Sequence, residues 1–128
     1  MKEETKLKNW TNGKWKKEFW KTFAEYIKKR DKGICFSCGR KAEGLGYHAG
    51  HFIPKSVGGL TLYFHEDNVR GQCYNCNINL GGNQWEYGQR LGEEKVAELM
   101  ELKKAYRKIT NQEYLDLIEE YKIKLENE

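Results

Sequence analysis

The chain has 128 residues, enough for one domain, with 38% hydrophobic and 33% charged residues and a formal net charge of +4. That apolar share supports a fold but only a thin core, so a metal staple would help a chain of this size. No run of eighteen apolar residues occurs, which excludes a membrane-spanning helix, and the polar N-terminus lacks a secretory h-region. The expected setting is a reducing cytoplasm, where four cysteines serve a metal rather than disulfides.

Charge is uneven along the chain. Residues 1–41 hold thirteen Lys or Arg against five Asp or Glu, so the positive surplus lies in the first third. A basic arm or helix that meets phosphates is one reading, and a solvated helix face is the other. Residues 1–12 read as a loose polar leader. From Lys14 to Lys32 the pattern is helical: Trp15, Phe19, Phe23 and Ile27 recur every four residues, widened by Trp20 and Tyr26. This stripe has the period of core packing rather than base stacking. Gly33 suits a left-handed cap. Residues 34–82 are irregular, with short strands expected at 46–53 and 60–64 and a turn at Gly58-Gly59. A short helix is expected from Asn83 to Leu91, interrupted by Gly92, and a second from Glu93 to Lys108. Thr110-Asn-Gln-Glu113 is a capping box that opens a last helix to about Leu125, buried through Leu115 and Ile118 with Tyr114, Tyr121 and Leu125.

Residues 34–82 contain all four cysteines, all three histidines and the only proline. Cys35-Phe-Ser-Cys38 and Cys73-Tyr-Asn-Cys76 are two C-x2-C pairs, separated by 34 residues. Each such turn aims two thiolates at one ion, and two turns complete a tetrahedron. Zn2+ suits four sulfurs because it is d10 and redox-inert. A thioredoxin-like dithiol fails on context, since no βαβ pattern surrounds either pair. Four thiolates leave no open position, so this zinc is expected to be structural.

Between the pairs lies His48-Ala-Gly-His51-Phe-Ile-Pro54, then Gly58-Gly59, Asn68 and Cys76-Asn77. This arrangement resembles the HNH, or His-Me finger, endonucleases. His48-Ala-Gly-His51-Phe, Phe64-His-Glu-Asp-Asn68, Gln72-Cys73, Leu80-Gly-Gly-Asn83 and Tyr87 more narrowly resemble the NinG or Rap phage recombination nucleases, over about residues 34–92. The resemblance implies His51 as general base, Asn68 as support for its loop and Asn77 as a ligand of the catalytic metal. It also implies DNA as substrate, branched or junction DNA in particular, cut to 5′-phosphate and 3′-hydroxyl ends.

The chemistry of the residues agrees. Phosphodiester hydrolysis needs an activated water and a cation near the phosphate. A histidine is a suitable base at neutral pH. Asn77, next to the zinc ligand Cys76, can offer an amide oxygen to Mg2+ or Mn2+. The HNH pattern has aspartate where this chain has Gly50. On a strand, positions 48 and 50 face the same way, so His48 is the expected replacement, with His65 or Asp67 as rivals. Lys55, Arg70 and Arg40 are candidates for phosphate contacts. Asn83 and Tyr87 are candidates for substrate contact, and Asn83 equally for a helix cap.

The expected architecture is an α+β domain spanning 1–128, with a basic leader and helix over 1–33, a zinc-stapled ββα-metal core over 34–92 and C-terminal helices over 93–128. The expected function is a metal-dependent DNA endonuclease, and symmetric cutting of a junction would favour a homodimer. One rival is a zinc-dependent nucleic-acid-binding module without catalysis, for which Gly50 argues. Another is a structural zinc protein that docks a partner through residues 93–125.

Overall fold

Thr11 opens the longest helix. Its hydroxyl accepts from the Lys14 N–H at 3.1 Å, and α2 runs Asn12–Arg30 in the computed structural model, which describes residues 2–128. Trp15, Phe19, Phe23 and Ile27 fall on one side of α2, each at most 1% exposed. They pack against α6, Asn111–Glu126, whose capping box is formed as expected. The Thr110 hydroxyl accepts from Glu113 N–H, and the Glu113 carboxylate accepts from Thr110 N–H. Asn12 donates to Ile109 O and Asn111 Oδ1 at the helix starts, and Lys29 donates to Leu125 O at the ends. The two helices therefore run side by side in the same direction. Tyr114, Leu115, Ile118 and Tyr121 complete this core, while Leu125 is only partly buried.

The fold is mixed, with helices at both ends and one small antiparallel sheet between them. Strand β1, Tyr47–His51, pairs with β2, Val69–Cys73, so that His48 lies opposite Gln72 and His51 opposite Val69. The end of α2 is riveted to β2. Arg30 donates to Glu66 O and Val69 O, and the Asp31 carboxylate accepts from Gly71 N–H at 2.7 Å. The face of β1 bearing Ala49 meets the aromatic core, which leaves the face bearing His48 and Gly50 for other partners.

Three sequence expectations are corrected. The leader expected over 1–12, of which residue 1 lies outside the described residues, is not loose: α1 spans Glu3–Asn9, with Glu3 and Glu4 at its positive end and Lys6 and Lys8 at its negative end. Leu7 and Trp10 anchor it, Trp10 lying 4.8 Å from Trp15. The expected strand at 60–64 is helical instead, within α3, Lys55–Tyr63. Two short helical segments meet there at Gly59, whose φ of 68° suits glycine. Leu62 is fully buried with Ile53 and Leu99 in a second small core, and this packing overrides the strand propensity of Thr61, Tyr63 and Phe64. Helix α4, Gln84–Leu91, and the break at Gly92 are as read, but α5 stops at Leu102 rather than Lys108. Residues 103–108 offer no apolar face, and Tyr106 is 90% exposed.

Phe19 touches Phe23, Phe64, Tyr114 and Tyr121 and so joins three elements. Phe19→Ala is expected to destabilise the domain by about 3–5 kcal/mol in urea titration. Phe19→Leu should cost less than half as much, because most of the volume stays filled.

Candidate functional site

The two C-x2-C pairs converge. The Sγ atoms of Cys35, Cys38, Cys73 and Cys76 all lie within 4.8 Å of one another, and three of the four residues are buried. A tetrahedral zinc with bonds of about 2.3 Å needs sulfurs about 3.8 Å apart. Cys38 and Cys73 are 3.8 Å apart. The cluster could hold a zinc ion. Its surroundings are built for negative sulfur: Cys76 N–H points at Cys73 Sγ and the Asn83 amide at Cys76 Sγ, both at 3.4 Å. Burial pushes the Cys76 thiol up to about 12 against the pull of the Asn83 amide. Burial also raises Cys35, but backbone N–H groups of Cys73, Cys38 and Ser37 outweigh it and bring that thiol down to about 7. Four thiolates this close need a cation to offset their repulsion. Gly39, with φ of 78°, lets the first knuckle turn, its N–H donating to Cys35 O at 2.8 Å.

Next to this cluster the chain places His48 and Asn77 together. Asn77 Nδ2 donates to His48 Nδ1 at 2.9 Å. The tautomer is fixed by the other nitrogen, since His48 Nε2–H donates to Leu45 O at 3.0 Å. Gly50, on the same face, has a specific reason to be glycine. A Cβ there would overlap Gln72 Oε1 and sit 2.9 Å from Asn77 Oδ1. Gln72 is fully buried, and its Nε2 donates both hydrogens, to Ser37 Oγ at 2.6 Å and to Gly82 O at 2.8 Å. The carboxamide orientation follows, because Gly82 O can only accept. Gln72 Oε1 is left buried with no partner. An orphaned acceptor of this kind costs roughly 1–3 kcal/mol.

His51 ends β1, one residue after Gly50 and on the opposite face. Its Nε2–H donates to Tyr63 O at 3.0 Å, which leaves Nδ1 bare, and among the described residues Nδ1 has no partner. The ring stacks on Trp20 at 5.1 Å and leans on Tyr63 at 4.9 Å. Burial lowers its pKa below the ordinary histidine value, and the nearby charge of Lys55 lowers it further. The bond to Tyr63 pulls the other way. Asn68, fully buried, closes the loop after His51: it accepts from Ile53 N–H at 2.8 Å and donates to Ile53 O and Leu62 O.

The remaining candidates divide. Lys55 is exposed, 5.8 Å from the Tyr63 ring, and Lys16 lies 4.7 Å from the same ring. Together they make a basic flank beside His51. Lys16 was missed in sequence because it sits within a lysine run; only the fold singles it out. Arg40 is exposed on the knuckle, where its carbonyl accepts from Cys35 N–H. Arg70 is not presented to an open face: it pairs with Asp67 at 3.2 Å and lies over Phe36. Asn83 precedes α4 with φ of 47° but does not cap it, since its side chain serves Cys76 instead. Tyr87 is fully buried, out of reach of a substrate, and its hydroxyl donates to Gly50 O at 2.7 Å. The rival ligands are engaged as well: Asp67 pairs with Arg70 and Lys95, and its N–H donates to His65 Nδ1.

Comparison with known proteins gives one match. A family model described as bacteriophage lambda NinG protein matches residues 2–128. No curated protein and no solved structure matches. Among the described residues, no helix is long and apolar enough to cross a membrane.

A zinc held by this cluster would make the fold dependent on metal. The purified protein is expected to carry one zinc per chain, and Cys73→Ser or strong chelation should abolish cooperative thermal unfolding. An unchanged melting curve after complete zinc removal would contradict this.

Proposed function

The chain belongs to the bacteriophage lambda NinG protein family, and from that premise we propose that it is a metal-dependent endonuclease that hydrolyses DNA phosphodiester bonds, with branched recombination intermediates as the preferred substrate. The observation that carries the reading is a histidine of lowered pKa with one bare nitrogen, at the end of β1, the strand whose other face bears His48 in hydrogen bond with Asn77. In this reading, β1, β2 and the helical turn at Asn75–Asn79 form a ββα-metal core of the HNH type.

The step balances as follows. His51 Nδ1 takes a proton from water as the water oxygen bonds to phosphorus. The P–O3′ bond opposite breaks, and the departing oxygen takes a proton from solvent, leaving a 3′-hydroxyl and a 5′-phosphate. Tyr63 O holds the imidazole in the required tautomer, and Trp20 holds its plane. Asn68 fixes the loop that brings Tyr63 O to the ring. Lys16 and Lys55 meet the phosphate backbone, and Arg40 extends that contact. A divalent cation held by His48 and Asn77, Mg2+ or Mn2+, would supply Lewis-acid stabilisation of the charge that develops on phosphate. Zinc on the thiolates takes no part in this chemistry and fixes the position of Asn77.

One observation favours the non-catalytic alternative. Among the described residues, the cysteine cluster is the only group of three or more His, Cys, Asp or Glu side chains close enough to share an ion. A pure binding module would bind DNA with strong salt dependence and cut nothing with any divalent ion.

Zinc-loaded protein with Mg2+ or Mn2+ is expected to cleave plasmid and four-way-junction DNA. His51→Ala should lower the rate by about 10²–10⁴-fold, and equal rates for the two proteins would overturn the assignment. The pH dependence follows from the lowered pKa of His51: the base is active when unprotonated, so rate should rise with pH and level off. Its midpoint should lie below the ordinary histidine value of about 6.5. A rising limb centred above pH 7 would contradict His51 as the base.

A further inference from the structure

We propose that Gln72 is a ligand of the catalytic cation, its Oε1 taking the place of the side chain that Gly50 lacks, beside Asn77 Oδ1 and His48 Nδ1. This rests on the nuclease reading above and adds to it a residue and a ligand chemistry.

Three observations meet at one point. Gln72 stands directly opposite His48 in the β1–β2 register, so their side chains share a face. Gln72 Oε1 and Asn77 Oδ1 both lie within 2.9 Å of the point where a Gly50 Cβ would be. Gln72 Oε1 is buried and has no hydrogen-bond donor, while its amide nitrogen is clamped by Ser37 and Gly82. Two carbonyl oxygens thus converge with no donor assigned to Gln72 Oε1. Such a spot is electronegative and suits a cation. A structural glutamine would be expected to satisfy both ends of its amide; this one is held by its nitrogen with its oxygen aimed inward.

The glycine follows from the glutamine. With aspartate at position 50, its Cβ would collide with Gln72 Oε1. The chain reaches the same place from the neighbouring strand, with an amide instead of a carboxylate. The resulting ligand set is neutral: two carbonyl oxygens and one imidazole. A cation taking the His48 Nδ1 lone pair replaces the Asn77 N–H now donated to it, and Asn77 Oδ1 already lies alongside. A neutral set leaves the full charge of the ion for an anionic oxygen, so a DNA phosphate completes the shell and tightens binding. Imidazole among the ligands favours Mn2+ over Mg2+.

The test uses zinc-loaded full-length His51→Ala protein, so that DNA remains uncut, with Mn2+ as probe in an electron paramagnetic resonance titration, with and without a short DNA duplex. Saturable Mn2+ binding should appear and strengthen with DNA. Adding Gln72→Ala should weaken it by at least about tenfold. Adding Gly50→Asp together with Gln72→Ala should restore it, because the truncated glutamine leaves room for the carboxylate. Gly50→Asp alone should not improve binding. The paired change removes the Ser37 and Gly82 bonds just as Gln72→Ala does, so restoration isolates the missing oxygen from a structural effect. If Asn77→Ala abolishes Mn2+ binding while Gln72→Ala leaves it intact, the role of Gln72 is overturned and the nuclease reading stands. If Mn2+ does not bind at all and the His51-containing protein cuts no DNA, the nuclease reading itself fails. Should Gln72→Ala lose its zinc and unfold, Mn2+ anomalous scattering from wild-type crystals decides. A peak in coordination contact with Gln72 Oε1 supports the proposal, and a peak held by His48 and Asn77 with water on that side overturns it.

Discussion

Four sulfurs within 4.8 Å of one another are the constraint on which the rest of this structure depends. The segment between α2 and α4 holds one two-stranded sheet and the short helix α3, elements too small to be stable alone. The cluster ties its two ends together. Cys35 and Cys38 follow the end of α2, while Cys73 ends β2 and Cys76 lies one turn later. Asn77 is bonded to Cys76, so its amide has a fixed origin. The same clamp sets Gly82 and Asn83 against the cluster, through Asn83 on sulfur and Gly82 O on Gln72.

From that anchor the site divides into two halves on opposite faces of β1. One half is polar and neutral: His48, Asn77 and Gln72 around a glycine. The other is aromatic and basic: His51 against Trp20 and Tyr63, flanked by Lys16 and Lys55. The long helix α2 is therefore part of the site as well as the core. Trp20, on the margin of its buried stripe, lies against the imidazole that the core helix would otherwise never meet. Burial on this side lowers the pKa of His51.

Much of this was legible in the sequence. The period-four aromatic stripe of α2, the Thr110 capping box and the two C-x2-C pairs each rest on local chemistry, and each forms as the pattern requires. The family resemblance over residues 34–92 is extended by the match over 2–128. What failed depended on distant partners. Residues 60–64 read as a strand because Thr61 is β-branched and Tyr63 and Phe64 are aromatic, yet Leu62 meets Leu99, thirty-seven positions away, as part of a helix. Tyr87 read as a candidate for substrate contact, and its burial beneath Gly50 has no local signal. Gln72 was visible only as a neighbour of Cys73; its orphaned oxygen emerges when β1 and β2 pair. Gly50 looked like a loss, and the fold shows it as the space that Gln72 fills.

The claim under all of this is a closed sulfur shell that shapes the site and stays out of its chemistry. X-ray absorption at the zinc edge of freshly purified protein reads that shell directly. Four sulfurs at about 2.3 Å, unchanged when Mn2+ and DNA are added, are the predicted result. A shell containing nitrogen or oxygen, or one that opens when DNA binds, would contradict it and move the chemistry onto the zinc.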